Sequence, residues 1–489
     1  MAYGTPYPPF CFPDPPLCYT YVMRWLLVLP QTPFRQGHIY GYVRAAVLPL
    51  GLAMLGSMLE GEGHEVDLCD TQLPDHDRDR LKRLLARADA VGVSVTTLTA
   101  QDAYQVINLC RSARPEVPLV IGGPHPTALG EKVLRECCAD VAVFHEGEET
   151  ILNLTRALSR GDDLTYVRGI AFRHNGNIIR TEPQPFIEDL DTLPFPARHL
   201  FPVKEYHPHA GMYRRLPFAN MITSRGCPYN CIYCNHTMWG KRVRRRSPRL
   251  IFEEIKHLVN TYGVREIAFY DDTFTLVKDD VMELCRMLVE NGTLVDWRCS
   301  SRVDRVDEEL LRAMKEAGCY SIGFGVESGS AELLKTINKE ITKDDSRRAF
   351  HLSRKMGIAA YAYFMLNLPG ETHETIKQTI AFAKELKPAV AAFSIATPMI
   401  GTEFRTMIEA DDRYRIVEEK WNDYGAFGDN DVLFTQPRLS EGEIKKAYRK
   451  AIRSFYLRPS YFLKTIMRIR TWEQVKGYLR GFMAVILAR

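Results

Sequence analysis

Two long stretches of the chain alternate short apolar runs with amphipathic segments, and this alternation admits few folds. In the first stretch, runs at 26–29, 65–69, 90–95, 119–121 and 141–144 read as buried strands. The segments near 48–61, 78–87, 100–113 and 128–138 read as the helices between them. Strands separated by helices in this way form a parallel sheet wrapped by helices. In the second stretch, strands are expected near 219–223, 265–270, 295–299, 320–326, 358–365 and 390–395, most of them followed by a helix. Six such units imply a partial (β/α)6 barrel. The expected fold class is therefore α/β: an N-terminal Rossmann-like domain, a partial barrel and a C-terminal helical segment. In both architectures ligands gather beyond the carboxyl ends of the strands.

The 489 residues exceed one ordinary domain. A composition of 46% hydrophobic and 25% charged residues is that of a soluble globular protein, and a net charge of +4 gives no ground for nucleic-acid binding. The cysteines are not spaced as a secreted disulfide framework. Cys69, Cys110, Cys285, Cys299 and Cys319 fall in apolar periodic segments, where free cysteine behaves as a small buried hydrophobe. A reducing cytoplasm is the expected compartment. No run reaches the roughly eighteen apolar residues of a membrane-spanning helix. Residues 1–22 lack a basic n-region and read as a disordered extension or a misplaced start.

Chemistry concentrates in Ser224-Arg225-Gly226-Cys227-Pro228-Tyr229-Asn230-Cys231-Ile232-Tyr233-Cys234, directly after an apolar stretch. Three thiolates on one loop can hold three irons of a [4Fe-4S] cluster and leave the fourth open. A zinc site with His236 as fourth ligand is the alternative, although structural zinc usually takes two paired knuckles.

The Cys-x3-Cys-x2-Cys spacing, with Tyr233 before the last cysteine, resembles the radical S-adenosylmethionine (SAM) superfamily. The resemblance implies that the open iron chelates the amino and carboxylate groups of SAM, whose reductive cleavage yields a 5′-deoxyadenosyl radical. Upstream, Pro49-Leu50-Gly51, Gly61-Glu62-Gly63-His64-Glu65-Val66, Gly122-Gly123-Pro124-His125-Pro126-Thr127 and Gly147-Glu148-Glu149-Thr150 together resemble the cobalamin-binding domain that precedes many radical SAM cores. This implies cobalamin contacts from the loops after the strands: Thr96, Thr97, Gly122, Gly123, His125, Glu146, Gly147 and Glu148. The Asp-x-His-x-x-Gly signature that supplies a lower histidine ligand elsewhere is missing, and Asp75-His76 does not fit it. Cobalamin held without a protein lower ligand and a degenerate, empty cobalamin fold both stay open.

At the strand ends of the barrel, Asp271 and Asp272 are either a solvated N-cap turn or SAM contacts. Glu327, followed by Ser328, offers a carboxylate to ribose hydroxyls or the SAM ammonium. The loop Asn367-Leu368-Pro369-Gly370-Glu371-Thr372 resembles the superfamily's adenine-side loop, and Glu371 also suits the start of the next helix. Arg225 and Arg302 are candidates for steering carboxylates or for surface ion pairs. His199, His207, His209 and His236 are proton carriers or structural groups. The basic run Lys241 to Arg246 is a solvated face or a surface for an anionic substrate.

Residues 441–489 carry twelve Lys or Arg against three Glu, behind a capping box at Ser440. Two readings stand: a helical subdomain closing the barrel, or peripheral contact with an anionic membrane or a lipidic substrate. The expected boundaries are an extension over 1–22, the cobalamin-binding domain over 23–160, a connector with an Asn175-Gly176-Asn177 hairpin over 161–215, the barrel over 216–430 and a basic helical region over 431–489.

Resemblance to the cobalamin-dependent (class B) radical SAM enzymes implies methylation of an unactivated carbon of a small-molecule or lipid substrate. The deoxyadenosyl radical removes hydrogen and methylcobalamin delivers the methyl group, with a flavodoxin- or ferredoxin-type donor as external one-electron reductant. The rivals are an oxidative cyclase resembling anaerobic Mg-protoporphyrin ester cyclase and a non-catalytic cobalamin and iron–sulfur binding protein.

Overall fold

The computed structural model describes residues 21–31, 46–73, 78–208, 212–292, 295–417, 420–424, 432–459 and 461. Most of the N-terminal extension, Asp75-His76, His209 and the basic tail from 462 onward lie outside the described residues.

The first alternating stretch forms β1 (Arg24–Leu29), β2 (Glu65–Asp70), β3 (Ala90–Ser94), β4 (Leu119–Gly122) and β5 (Val141–Val143). The hairpin β6 (Ile170–His174) and β7 (Asn177–Arg180) follows. Strand order is β2-β1-β3-β4-β5-β6-β7, with the first five parallel and the last two antiparallel. The hairpin expected in a connector thus continues the N-terminal sheet, because the free edge of β5 offers it a ladder.

Trp25 and Leu27 enter one apolar core with α1 (Leu50–Gly61). Leu26 and Val28 enter a second core with α2 (Arg78–Leu85) and α3 (Ala100–Ala113). The helix expected over 128–138 is instead α4 (Pro124–Leu129) and α5 (Val133–Glu136). Proline in the first turn lets Gly122-Gly123 run straight into α4. Then α6 (Glu148–Arg160) packs beside α1 in the first core.

The second stretch begins with β8 (Phe218–Met221). A two-residue antiparallel pair, β9 (Ser224–Arg225) with β10 (Arg244–Arg245), brackets the cysteine loop. Next come α7 (Pro248–Tyr262), β11 (Glu266–Phe269), α8 (Lys278–Glu290), β12 (Asp296–Ser301), α9 (Glu308–Glu316) and β13 (Cys319–Glu327). They are followed by α10 (Ala331–Thr336), α11 (Lys343–Lys355), β14 (Ala359–Leu366), α12 (His373–Leu386), β15 (Val390–Ile395), α13 (Glu403–Glu409) and α14 (Glu441–Tyr456).

The six longer strands run parallel in the order β15-β14-β13-β12-β11-β8, as a partial barrel requires. Ser247 accepts from the Leu250 N–H to open α7, and Ser440 closes the expected capping box on α14. Among the described residues no helix is long and apolar enough to cross a membrane.

Candidate functional site

The cysteine loop leaves the carboxyl end of β8 and is tied down on several sides. Gly226 has φ +87, and a Cβ there would run into the Arg242 carbonyl, so the turn into Cys227 needs glycine. The Ile232 N–H donates to the Ile337 carbonyl at 3.2 Å, and the Phe404 N–H to the Ile232 carbonyl at 2.9 Å. Arg302 stacks on the Tyr229 ring at 3.6 Å and donates to the Lys339 carbonyl at 2.9 Å.

Cys227, Cys231 and Cys234 are all free thiols on this one loop. Burial raises the Cys227 thiol and pushes Cys234 up to about 12. Metal binding at these thiols must displace their protons. Three soft donors backed by the cations of Arg302 and Lys339 fit the expected cluster, whose thiolate shell is anionic.

Of the expected SAM contacts, several are taken up within the protein. Asp271 is buried, and its Oδ1 accepts from the Thr223 N–H at 2.9 Å, the Thr223 hydroxyl at 2.8 Å and the Ser224 hydroxyl at 2.6 Å. Burial lifts its carboxyl to about 6 against those donors. It therefore clamps the end of β8 rather than forming a solvated cap. Asp272 is exposed, and its charge acts on Cys227, Cys234 and His236.

Ser328 is buried against Thr379, hydroxyl to hydroxyl at 3.1 Å, and accepts from the Ser330 N–H. Glu327 closes β13 with φ +64 at a register shift, a backbone that costs about 1–3 kcal/mol. Its carboxylate accepts from Lys339 at 2.8 Å and from the Tyr233 hydroxyl at 3.0 Å, and Lys339 also donates to Tyr233 at 3.0 Å. Lys339 was not a sequence candidate; nothing in its local pattern marks it.

In the loop after β14, Glu371 is fully buried and accepts from the Asn367 and Leu368 N–H groups, folding the loop back on itself. Burial drives its carboxyl up to about 8. Thr372, not Glu371, caps α12. Gln436, another residue without a sequence signal, accepts from the Gly370 N–H at 3.1 Å and donates to Asn367 at 2.8 Å. Pro369 and Gly370 thus sit on a loop held from the C-terminal segment.

A cleft lies between the two sheets. Its N-terminal wall comes from the carboxyl ends of β3, β4 and β5, with Gly122, Gly123, Glu146, Gly147 and Glu148 among the lining residues. Gly123 has φ +107, and a Cβ there would meet the Val95 carbonyl at 3.0 Å. The opposite wall includes Ile222, Arg225, Met238 and Trp239, which flank the cysteine loop. Apolar side chains of α1 (Leu52, Met54, Leu55) continue the lining inward. The mostly apolar lining, with Gly122 and Gly123 at its lip, suits the buried end of an organic cofactor.

His125 does not line this cleft. Its ring is buried, with Nδ1 3.3 Å from the Thr97 hydroxyl, Nε2 3.0 Å from the Tyr104 hydroxyl, and Trp421 edge-on at 4.8 Å. Burial depresses it to about 4, so it stays neutral and structural. Thr96 spends its hydroxyl capping the turn at Thr99.

The carboxylates at the cleft are also engaged. Glu146 accepts from Arg244 at 2.7 Å and Arg225 at 2.8 Å, while Arg225 reaches Glu148 at 2.5 Å. Burial works to raise the Glu146 carboxyl, but the hydrogen bonds from Arg244 and Arg225 outweigh it and hold it below the usual range. Arg198 and Arg246 share Glu254 in a second buried set, at 2.7 and 3.0 Å. Arg225 and Arg244 are therefore interior struts to the N-terminal half, and Arg246 is buried on Glu254 and the Leu193 and Pro194 carbonyls; none of the three is a surface charge. His199 pairs with Glu60 at the surface, His207 turns onto the Pro208 carbonyl, and His236 Nε2 is buried without a partner.

The Radical SAM superfamily model matches residues 221–383, and the B12 binding domain model matches residues 39–155. An uncharacterized methyltransferase of Pyrococcus horikoshii is 36% identical over 468 residues, spanning 95% of this chain and 99% of that one. An anaerobic magnesium-protoporphyrin IX monomethyl ester cyclase of Rubrivivax gelatinosus is 29% identical, and the match covers 72% of this chain but only 64% of that longer protein. Among solved structures, the radical S-adenosylmethionine methyltransferase TsrM of Kitasatospora setae, with cobalamin and a [4Fe-4S] cluster bound, superposes with a TM-score of 0.69. It is 18% identical and covers 95% of this chain and 99% of its own, a likeness of fold.

Proposed function

Because the chain belongs to the radical SAM enzymes that carry a B12-binding domain, we propose that it methylates an unactivated carbon of a small organic or lipid substrate. The observation that carries this reading is the shared space: the cleft walled by β3, β4 and β5 is closed by residues that flank the cysteine loop. A [4Fe-4S] cluster with SAM, and cobalamin in the cleft, supply radical generation and methyl transfer when bound. The chain's own part is to hold, orient and dry these groups.

Cys227, Cys231 and Cys234 hold the cluster. Tyr233, Glu327 and Lys339 form one hydrogen-bonded set beside it, with the Glu327 carboxylate available to SAM hydroxyls or ammonium. Asp272 faces the same loop, and the loop containing Pro369, Gly370 and Glu371 is the adenine side. Asp271 and Ser328 act through the backbone they fix. The Arg225–Glu146–Arg244 set ties the loop after β5 to the β9–β10 pair that brackets the cysteine loop. The name of the Pyrococcus horikoshii relative supports methyl transfer.

Enzymes of this family need a one-electron reductant, for which we infer a flavodoxin or ferredoxin type. Anaerobic reconstitution with SAM and dithionite tests the reading. Methylation predicts S-adenosylhomocysteine beside 5′-deoxyadenosine. The magnesium-protoporphyrin relative supports a second reading, oxidative cyclisation, which predicts deoxyadenosine alone. Failure to cleave SAM at all would leave only a non-catalytic binder.

A further inference from the structure

Arg298 stands on the inner face of β12, because Trp297 and Cys299 on either side of it enter the outer apolar core. Its Nη2 donates to the Tyr270 hydroxyl at 3.2 Å, and the guanidinium lies over the Tyr270 and Phe218 rings at 5.6 and 5.9 Å. Among the described residues this is its one hydrogen bond, and Nε is buried without a partner. Most of the five donors of the guanidinium are therefore unspent.

The other interior arginines are satisfied differently. Arg198, Arg225, Arg244 and Arg302 each hold a carboxylate within 3.0 Å. Arg298 pairs with no carboxylate among the described residues. The charge of Glu266 reaches it, but the Glu266 oxygens accept from the Tyr320 hydroxyl at 2.6 Å and from the Arg214 and Arg215 N–H groups at 2.5 and 2.8 Å. A half-buried cation kept off its counter-charge is costly unless a ligand completes it.

The space beside Arg298 is accessible and chemically mixed. Tyr270 is 38% exposed. The Tyr363 and Ser300 hydroxyls both come within 3.2 Å of where a Cβ would stand at Gly323, which places them on the inner face shared with Arg298. Beyond them Met365, Val390 and Ala392 are half-buried on the same concave side of β14 and β15. A planar fork of N–H donors among hydroxyls suits an oxyanion, and the apolar strip suits a hydrocarbon body.

We propose that the inner face of the barrel seats an acidic substrate: Arg298, with the Tyr270 hydroxyl beside it, grips a carboxylate or phosphate whose apolar body lies along β14 and β15. The proposal rests on the methyl-transfer reading and narrows its substrate to an organic acid or a phosphate ester. Arg298 is then a specificity-determining residue.

Equilibrium dialysis tests this, with the full chain carrying its cluster and saturating SAM, against radiolabelled octanoate, octyl phosphate and octanamide. One of the two anions is expected to bind about tenfold tighter than the neutral amide, and the tighter one identifies the group. Arg298→Met is expected to bring that anion down to the affinity of the amide. Arg298→Lys, a charge without the planar fork, is expected to restore part of the difference. Equal binding of all three probes by the unmodified chain overturns the proposal without any variant, and so does a preference that survives Arg298→Met. A preference seen only when SAM is left out would give the seat to the SAM carboxylate and overturns it as well. No reductant is present, so the outcome is independent of SAM cleavage. A chain that holds the anion yet makes neither 5′-deoxyadenosine nor S-adenosylhomocysteine with dithionite sinks the methylation reading and leaves the anion seat standing.

Discussion

In the N-terminal sheet both faces are apolar: Trp25 and Leu27 enter one core, and Leu26 and Val28 the other. In the barrel sheet β8, β11 and β13 are buried on both faces, whereas β12, β14 and β15 are sealed on the outer face alone. Along β14, Ala360, Ala362, Phe364 and Leu366 are buried against helices, while Tyr361, Tyr363 and Met365 stay half-buried on the inner side. A sheet covered on both faces has room for a ligand only beyond its strand ends. A curved sheet covered on one face encloses its ligand space within. One chain thus offers two kinds of cofactor seat, and the cleft lies where they meet.

The contrast can be broken selectively, and the largest effect is expected from the barrel side. Changing Cys227, Cys231 and Cys234 together to Ala should abolish the broad iron–sulfur absorbance and all 5′-deoxyadenosine formation while cobalamin retention is unchanged. Parallel loss of cobalamin would show that the two seats are not separate.

Next in size is Lys339→Met, which strands the Glu327 carboxylate, only 9% exposed at its side chain. Urea denaturation should record a loss of about 3–5 kcal/mol. A loss under about 1 kcal/mol would mean that solvent already screens the pair.

Glu371 gives a pH dependence. Its folded value of about 8 lies above the ordinary 4.5, so the stability held by the neutral acid is complete below the ordinary value and is lost as pH rises through 8. The span is roughly 2–5 kcal/mol. Glu371→Gln should flatten stability against pH across that window, and an unchanged slope would assign it to another group.

The smallest effect falls on the N-terminal lip. Gly123→Ala is expected to cost about 1–3 kcal/mol and lower the cobalamin retained, read as cobalt per chain, with cluster absorbance intact. Unchanged retention would remove Gly123 from the cobalamin site.

The strands of both sheets were legible because buried parallel strands read as continuous apolar runs, and the cysteines because ligand spacing on one loop is local. The hairpin was legible as a hairpin, but its place in the sheet was not, since an edge pairing depends on which ladder is free. Asp271 and Ser328 stand at strand ends as expected. Whether such a side chain faces a ligand or a neighbouring strand is decided by contacts 48 and 51 residues away. The Arg225–Glu146 bridge spans 79 residues and left no mark in the local pattern.

By itself, then, the sequence determined the α/β architecture and the three-cysteine loop, because both follow from periodicity and spacing within a few turns of chain. Only the tertiary structure decided which polar groups are spent internally and which remain open. It turned His125 into a buried strut and shared Glu146 between Arg225 and Arg244 at the cleft. The reason is physical: a buried donor or acceptor takes whatever partner the packed chain brings within reach, and that partner is seldom near in sequence.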